Sequence, residues 1–241
     1  AGLAATSVVV TYLVWPAGPP PQATAVVDAA LPAGRRRGLF QWGSYMEYFR
    51  RPVLAQRLLQ FFLFVFAFST FTSGFALFSE RRFTWHGKPF GPREVGYVLA
   101  YGGLLGIVLQ GKLLGPLVRR FGELKLIIAG FFAAAVGYAL LGFTYGVPML
   151  LVVSTVSAFG NGVLRPAITS QVTRAVGAHE QGVVLGLTQS ISSISLIITP
   201  MLGNGLIEMH WLLAWTLLAG SFTALGLFAA LREKARCAVV G

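Results

Sequence analysis

Residues Leu58 to Ser79 read LLQFFLFVFAFSTFTSGFALFS, and this stretch contains no charged side chain. An α-helix rises about 1.5 Å per residue, so a helix over this stretch is long enough to cross a hydrocarbon core of about 30 Å. The stretch therefore predicts a transmembrane helix.

Five further apolar stretches of similar length follow, and none alternates as the strands of a membrane β-barrel do. They are Glu94–Leu114, Lys125–Tyr145, Val147–Ser170, Val183–Leu206 and Trp211–Leu231. The whole chain is 55% hydrophobic and 11% charged, whereas a soluble domain carries about 25% charged residues. The sequence predicts an all-α membrane protein with a bundle of six transmembrane helices.

The basic residues are unevenly distributed between the two sides of these spans. The chain has 19 Lys and Arg residues and 8 Asp and Glu residues, for a net charge of +11. Basic loops stay in the cytoplasm, so the richer side is predicted to be cytoplasmic. This reading also disfavours nucleic acid as a partner and favours anionic membrane lipid. Fifteen basic residues fall on that side: Arg35, Arg36, Arg37, Arg50, Arg51, Arg57, Lys112, Arg119, Arg120, Lys125, Arg165, Arg174, Arg232, Lys234 and Arg236.

The remaining segments complete the domain prediction. Residues 1–15 are apolar and are expected to end a transmembrane helix that begins before Ala1. Residues 16–56, which are rich in proline and arginine, are predicted to form a cytoplasmic linker. The aromatic part of this linker near its end fits an interfacial amphipathic helix or an ordered loop equally well. Residues 57–232 form the predicted bundle, and residues 233–241 form a cytoplasmic tail. Six spans after a long linker are typical of the second half of a transporter with two six-helix halves.

Three stretches resemble the major facilitator superfamily, in particular the drug:proton antiporter branch that includes the tetracycline-efflux proteins. They are Gly115-Pro-Leu-Val-Arg-Arg-Phe-Gly122, Gly160-Asn-Gly-Val-Leu-Arg-Pro-Ala167, and Glu180-Gln-Gly-Val-Val-Leu-Gly-Leu-Thr-Gln-Ser190 followed by Pro200-Met-Leu-Gly203. Arg119 stands where the superfamily signature usually has an acidic residue, as in a C-terminal repeat. The sequence ending Leu13-Val-Trp-Pro16 lacks the acidic residue that often follows this proline.

The resemblance implies the C-terminal half of a 6+6 major facilitator fold, located in a bacterial inner membrane. It implies a secondary transporter that exports a small, partly apolar solute in exchange for protons. The missing N-terminal six-helix half would be its partner, and the full-length protein would act as a monomer. An uptake carrier for a sugar or an organic anion is the alternative within the superfamily.

Polar residues inside apolar spans are the candidate substrate contacts, because each needs a partner or water in the membrane. In the resembled family the helices that carry most of them border a central cavity, and Tyr101 is a candidate because it can stack on an aromatic solute. A competing interpretation is that the hydroxyls bond to carbonyls of their own helix, and that Tyr97, one turn before Tyr101, belongs to an interfacial belt. The candidates are Gln60, Ser69, Ser73, Tyr101, Asn161, Gln189 and Ser193.

Two features are candidates for conformational change. The stretch from Gly115 to Gly122, with Arg119 and Arg120, is predicted to be a tight cytoplasmic turn that either gates the carrier or only fixes its topology. Pro200 lies inside an apolar span and is expected to disturb the helix one turn before it, as a hinge or as a static bend.

No acidic residue lies deep in an apolar stretch, since Glu80, Glu94, Glu123, Glu180, Glu208 and Glu233 fall at ends or in loops. A proton-binding carboxylate is therefore expected in the missing half. A membrane-embedded enzyme would need a cluster of His, Asp, Glu or Cys. The sequence shows none, so no catalytic residue, metal or cofactor is predicted. Arg165 is expected to snorkel towards the cytoplasm, and it would favour an anionic solute if it faced the cavity.

Overall fold

Six helices of the computed structural model are long and apolar enough to cross a membrane. The structure describes residues 42–85 and 87–240, with the side chains of residues 46–236 in that range. The predictions for residues 1–15 and for most of the linker lie outside the described residues. The helices are α1 (Trp42–Arg50), α2 (Pro52–Arg82), α3 (Pro92–Val108), α4 (Leu114–Phe121), α5 (Glu123–Leu141), α6 (Val147–Arg174), α7 (Gln181–Glu208) and α8 (Leu212–Val240).

A helix covers most of each predicted span, although α5 ends at Leu141 and not at Tyr145. Most helices extend past the apolar stretches into charged sequence. The first span begins at Pro52, inside the range predicted as linker. Proline suits the first turn of a helix because its missing N–H has no partner there anyway. The last helix continues to Val240, so residues 233–240 are helical rather than a separate tail. The aromatic end of the linker forms α1, with Tyr48 buried against the bundle.

The second span contains an irregularity that the sequence did not predict. Residues Leu109–Leu113 form a π-helical segment that joins α3 to α4. A π-helical turn accommodates one extra residue. The predicted tight turn from Gly115 to Gly122 is wrong, because Leu114–Phe121 is helical. Only Gly122 makes the turn, with a φ of 79° that other residues rarely adopt.

The bundle is organised around α2. In its most apolar part 61% of the residues are buried, against 11% in the span that α3 and α4 form. α2 packs against α6, α7 and α8, and α5 packs against α6 and α8. The contact of α5 with α6 is close, since a Cβ on Gly160 would come within 2.8 Å of the backbone oxygen of Gly130. Small residues at such crossings are typical of membrane helices, whose association relies on close packing.

Opposite ends of the bundle satisfy their polar groups differently. At the end of α2, Arg81 donates to the carbonyl of Ile207, and Arg82 donates to the carbonyls of Gly142 and Thr144. These arginines add side-chain donors to carbonyls at or just beyond helix ends, where backbone partners are fewest. A short hairpin follows, with Thr84 opposite Pro89 and Trp85 opposite Lys88. The other end contains ion pairs between helices, namely Arg51–Glu180, Arg57–Glu233 and Arg174–Glu123.

Candidate functional site

A cavity of about 410 Å³ lies between α2, α3 and α6. Ligand sites are typically concave, mostly apolar and furnished with a few polar groups, and this cavity has that character. Its lining residues are Phe64, Phe68, Phe71, Thr72 and Phe75 on α2, Val98, Leu99, Gly102, Gly103, Gly106, Ile107 and Gln110 on the second span, and Ser154, Ser157, Ala158, Asn161, Gly162 and Arg165 on α6.

The α2 wall of the cavity is aromatic. Phe64, Phe68, Phe71 and Phe75 recur at intervals of three or four residues, which places them along one face of a helix. The ring of Phe71 lies 5.0 Å from that of Phe75 and 5.3 Å from that of Tyr138 on α5. Each ring is therefore held by its neighbours, and the wall presents apolar faces with polarisable π-electrons.

The opposite wall, which the second span forms, contains a cluster of glycines. Three of the seven residues of this wall, Gly102, Gly103 and Gly106, are glycines, and a Cβ at any of them would meet no other atom within 4 Å. The space beside these glycines is cavity rather than packed protein. Below them, Leu109 of the π-helical segment packs against Gly162, where a Cβ would come within 2.7 Å of the leucine side chain.

Two polar residues of α6 reach the cavity one turn apart. Asn161 accepts a hydrogen bond at 3.0 Å from the hydroxyl of Tyr138 through Oδ1, and no described protein group bonds to its amide NH₂. The Arg165 guanidinium carbon lies 5.7 Å from the centre of the Phe68 ring. Within the described residues no carboxylate lies within 4 Å of Arg165, whereas Arg51, Arg57 and Arg174 each have one.

The predicted substrate contacts are only partly brought together. Asn161 lines the cavity, as its place inside an apolar helix suggested. Tyr101 instead hydrogen-bonds Thr155 at 2.9 Å. Ser69 is buried in α2, and Ser73 bonds to the carbonyl of Thr70 in its own helix. None of these three residues lines the cavity. Ser73 instead follows the competing interpretation, in which a hydroxyl bonds to a carbonyl of its own helix.

Gln189 and Ser193 lie on an exposed face of α7, away from this cavity. The Ser193 hydroxyl donates to the carbonyl of Gln189. Their contact with a solute stays a prediction that concerns the complete carrier.

Gln60 and Glu233 form a buried polar cluster that the sequence analysis missed. Gln60 is fully buried, and its amide donates to Glu233 Oε2 at 3.0 Å. Both terminal nitrogens of Arg57 contact the same carboxylate, and Arg57 also donates to Gln171 of α6. Gln60 is thus a structural partner of Glu233 in this structure. Glu233, which the sequence placed in the tail, is only 7% exposed. Because α8 extends past this residue, the Glu233 carboxylate lies against α2.

The predicted gating residues are dispersed. Gly115, Arg119 and Arg120 are exposed on α4, and Arg120 lies over the ring of Phe121. Gly122 makes the turn into α5. α7 continues as a helix through Pro200. Any gating role of these residues stays a prediction.

The sequence analysis missed the aromatic and glycine walls of the cavity, and also Gln110. Arg165 faces the cavity and contacts Phe68, so the expectation that it only snorkels towards the cytoplasm is incomplete. One signal was available for Arg165, because an arginine within an apolar span is by default a functional candidate.

Six helices that are long and apolar enough to cross a membrane thus form a bundle with a cavity between α2, α3 and α6. A profile of the Major Facilitator Superfamily matches residues 1–200 and, in a second overlapping match, residues 111–236. The chain belongs to this superfamily.

Several relatives are drug-resistance proteins by name. Tetracycline resistance protein, class C, of Escherichia coli is 29% identical over 163 residues, which cover 68% of this chain and 38% of that protein. Multidrug resistance protein 2 of Bacillus subtilis (strain 168) is 28% identical over 163 residues, covering 66% of this chain and 38% of the relative. The matched region therefore spans well under half the length of each relative.

A solved structure supports the same fold. The crystal structure of an auto inhibited POT family peptide transporter superposes with a TM-score of 0.66 at 16% sequence identity. The superposition covers 77% of this chain and 37% of that one. At this identity the likeness concerns the fold alone.

The buried cluster generates a stability prediction. Arg57→Leu should lower the free energy of unfolding by about 3–5 kcal/mol, because it leaves the Glu233 carboxylate buried without its cation. The double variant Arg57→Leu/Glu233→Leu should recover most of this loss, since replacing both charges by apolar groups is often neutral. Thermal unfolding in detergent, followed by tryptophan fluorescence, measures both. Arg51→Leu, which removes the more exposed Arg51–Glu180 pair, is the matched control and should change the melting temperature far less. Equal effects of Arg57→Leu and Arg51→Leu would contradict the prediction.

Proposed function

We propose that this chain is the C-terminal half of a secondary active carrier that exports a small, partly apolar solute in exchange for protons. The cavity between α2, α3 and α6 is its contribution to the solute site. The observation that carries the proposal is the pairing of an aromatic wall with an unfilled glycine wall, with Asn161 and Arg165 beside them.

The composition of the cavity fits such a solute. Burying apolar surface against the phenylalanine wall contributes about 25 cal/mol per Å². The glycine wall leaves room for a flat solute to lie close to the backbone of α3. The free NH₂ of Asn161 is positioned to orient a polar group on that solute, because an unpaired donor at an apolar surface is costly. The names of the relatives, which include tetracycline and multidrug resistance, favour export of drug-like compounds.

Proton coupling is proposed from the superfamily branch and assigned to the complete carrier. No carboxylate of a described residue lines the cavity, and Glu233 is instead paired with Arg57 and Gln60 at the basic end of the bundle. The proton-binding carboxylate is therefore proposed to lie in the other half. We also propose a bacterial inner-membrane location with the basic side of the bundle in the cytoplasm. No enzymatic activity is proposed for the chain.

Transport by the full-length protein tests the proposal. In proteoliposomes with an acidic interior, it should accumulate radiolabelled tetracycline several-fold over protein-free vesicles, and a protonophore should abolish the accumulation. Residues 1–241 alone are the control and should give no gradient, because a central site lies between two repeats. Accumulation that persists in the presence of the protonophore would contradict the proposed proton coupling. Absence of accumulation would contradict the proposal that tetracycline is exported.

A pair of variants tests the cavity. Asn161→Leu should raise the KM for tetracycline about five- to 150-fold, corresponding to a lost contact of about 1–3 kcal/mol. Tyr138→Phe is the matched control, because it removes the same Tyr138–Asn161 hydrogen bond and leaves the amide in place. Its KM should stay within about threefold of wild type, since such bonds average about 0.6 kcal/mol in membranes. If both variants raise KM equally, Asn161 supports the helices and does not contact the solute.

An organic anion is a second candidate solute, and Arg165 is the specific observation that favours it. The guanidinium lies at the cavity over Phe68 without a described carboxylate partner. A charged group in a membrane span is costly unless something compensates it. A solute carboxylate would supply that compensation while its apolar part contacts the aromatic wall.

Matched inhibitors distinguish the two candidates. If the site prefers anions, 2-naphthoate should inhibit tetracycline uptake by the full-length protein about tenfold more strongly than the neutral 2-naphthamide, because a charge-assisted hydrogen bond is worth about 1.5–3 kcal/mol. Arg165→Gln should remove the difference and Arg165→Lys should keep most of it. Arg93→Gln, which removes an exposed arginine of α3, is the control. Equal inhibition by the two compounds in the wild-type protein would contradict the hypothesis that the solute is an organic anion.

A further inference from the structure

The outer surface of α8 carries two apolar grooves, one on each side of the helix. α8 does not line the cavity between α2, α3 and α6, so this surface is separate from the proposed solute site. Both grooves end in a pair of basic residues on the basic side of the bundle. This repeated arrangement is the basis of the inference.

The first groove lies between α2 and α8. Its apolar lining includes Leu59, Leu63, Leu225 and Phe228, and Arg232 and Arg236 lie at its basic end. The α8 residues follow one another at intervals of three or four, so they form one face of the helix. The Arg232 guanidinium carbon lies 4.2 Å from the centre of the Phe228 ring, which holds the cation at the mouth of the groove.

The second groove lies between α5 and α8. Ile128, Phe132, Leu227 and Leu231 line it, and Lys125 and Lys234 lie at its basic end. Phe132 is 59% exposed and Leu231 is 45% exposed. These side chains belong to membrane-spanning segments, where the surrounding hydrocarbon covers such surface.

The four cations have no acidic partner in the described part of the chain. None of Arg232, Arg236, Lys125 and Lys234 lies within 4 Å of a carboxylate there. Glu233 stands between two of them in sequence, but its carboxylate points inward to Arg57. The buried ion pair thus leaves the outer surface of this end of α8 purely cationic.

We propose that these two grooves are binding sites for anionic phospholipids from the leaflet on the basic side of the membrane. In each site the acyl chains would lie along the apolar lining, and the headgroup phosphate would lie between the two cations. Charge complementarity selects this occupant, because basic residues attract anionic headgroups at the membrane surface and a zwitterionic headgroup offers no net charge.

Native mass spectrometry of the full-length protein in detergent micelles tests the proposal. Dioleoyl phosphatidylglycerol should bind at least two sites about 10- to 30-fold more tightly than dioleoyl phosphatidylcholine, which has the same acyl chains. Arg232→Gln/Arg236→Gln should lose one of these tight sites, and Lys125→Gln/Lys234→Gln should lose another. Glycerol 1-phosphate, which has the phosphate without the chains, should not displace the lipid.

Arg119→Gln/Arg120→Gln is the matched control, since it removes two exposed cations from α4 that lie beside neither groove. It should leave the number of tight sites unchanged. Equal affinity for the two lipids would overturn the proposal. So would a loss of phosphatidylglycerol binding in the control as large as in the groove variants, because the lipid would then respond only to overall charge. The groove cations are exposed, so all three variants should elute as the wild-type protein does in size-exclusion chromatography.

Discussion

The constraint on which this structure depends is that hydrocarbon offers no hydrogen bonds. Every polar group between the two ends of the bundle has to find its partner within the protein or face a cavity. Hydroxyls of α2 and α7 bond to carbonyls of their own helices, as Thr70 and Ser195 do. Arg81 and Arg82 donate to carbonyls near the ends of neighbouring helices at one end of the bundle. Glu233 and Arg57 neutralise each other at the other end. The amide NH₂ of Asn161 and the guanidinium of Arg165 remain unpaired beside the cavity, and a few buried polar atoms elsewhere, such as Thr199 Oγ1, also have no described partner.

The spans were predictable from the sequence because the same constraint requires long uncharged stretches, and such stretches are visible without any knowledge of packing. The ends were less predictable. Helix α8 continues past Leu231 through five residues of which three are basic and one acidic, a composition that indicates exposed tail. In the folded chain, however, one of these four charged side chains, Glu233, points onto α2. The π-helical segment left no mark in composition, because its five residues, Leu109 to Leu113, are ordinary for the end of a span.

The candidate site was harder to predict, because a residue's place in a span does not say which side of the helix it occupies. Asn161 was found since an amide is costly anywhere in an apolar helix. The sequence did not single out Phe64, Phe68, Phe71 and Phe75, because phenylalanine occurs in a protein core, against lipid and in a cavity alike. Ser69 and Ser73 are only one to three residues from cavity-lining neighbours such as Thr72. Each residue turns a helix by about 100°, so a small step in sequence moves a side chain to another face.

The glycine wall of α3 has a consequence for how the specificity of such a carrier can diverge. Some glycines of the bundle are fixed by their neighbours, as Gly160 is by α5. At Gly102, Gly103 and Gly106 an added methyl group meets no atom of the protein, and alanine favours a helix more than glycine does. Mutations there would reshape the cavity without straining the fold. Selection for a new solute can therefore act on these three positions while stability is maintained by the rest of the bundle.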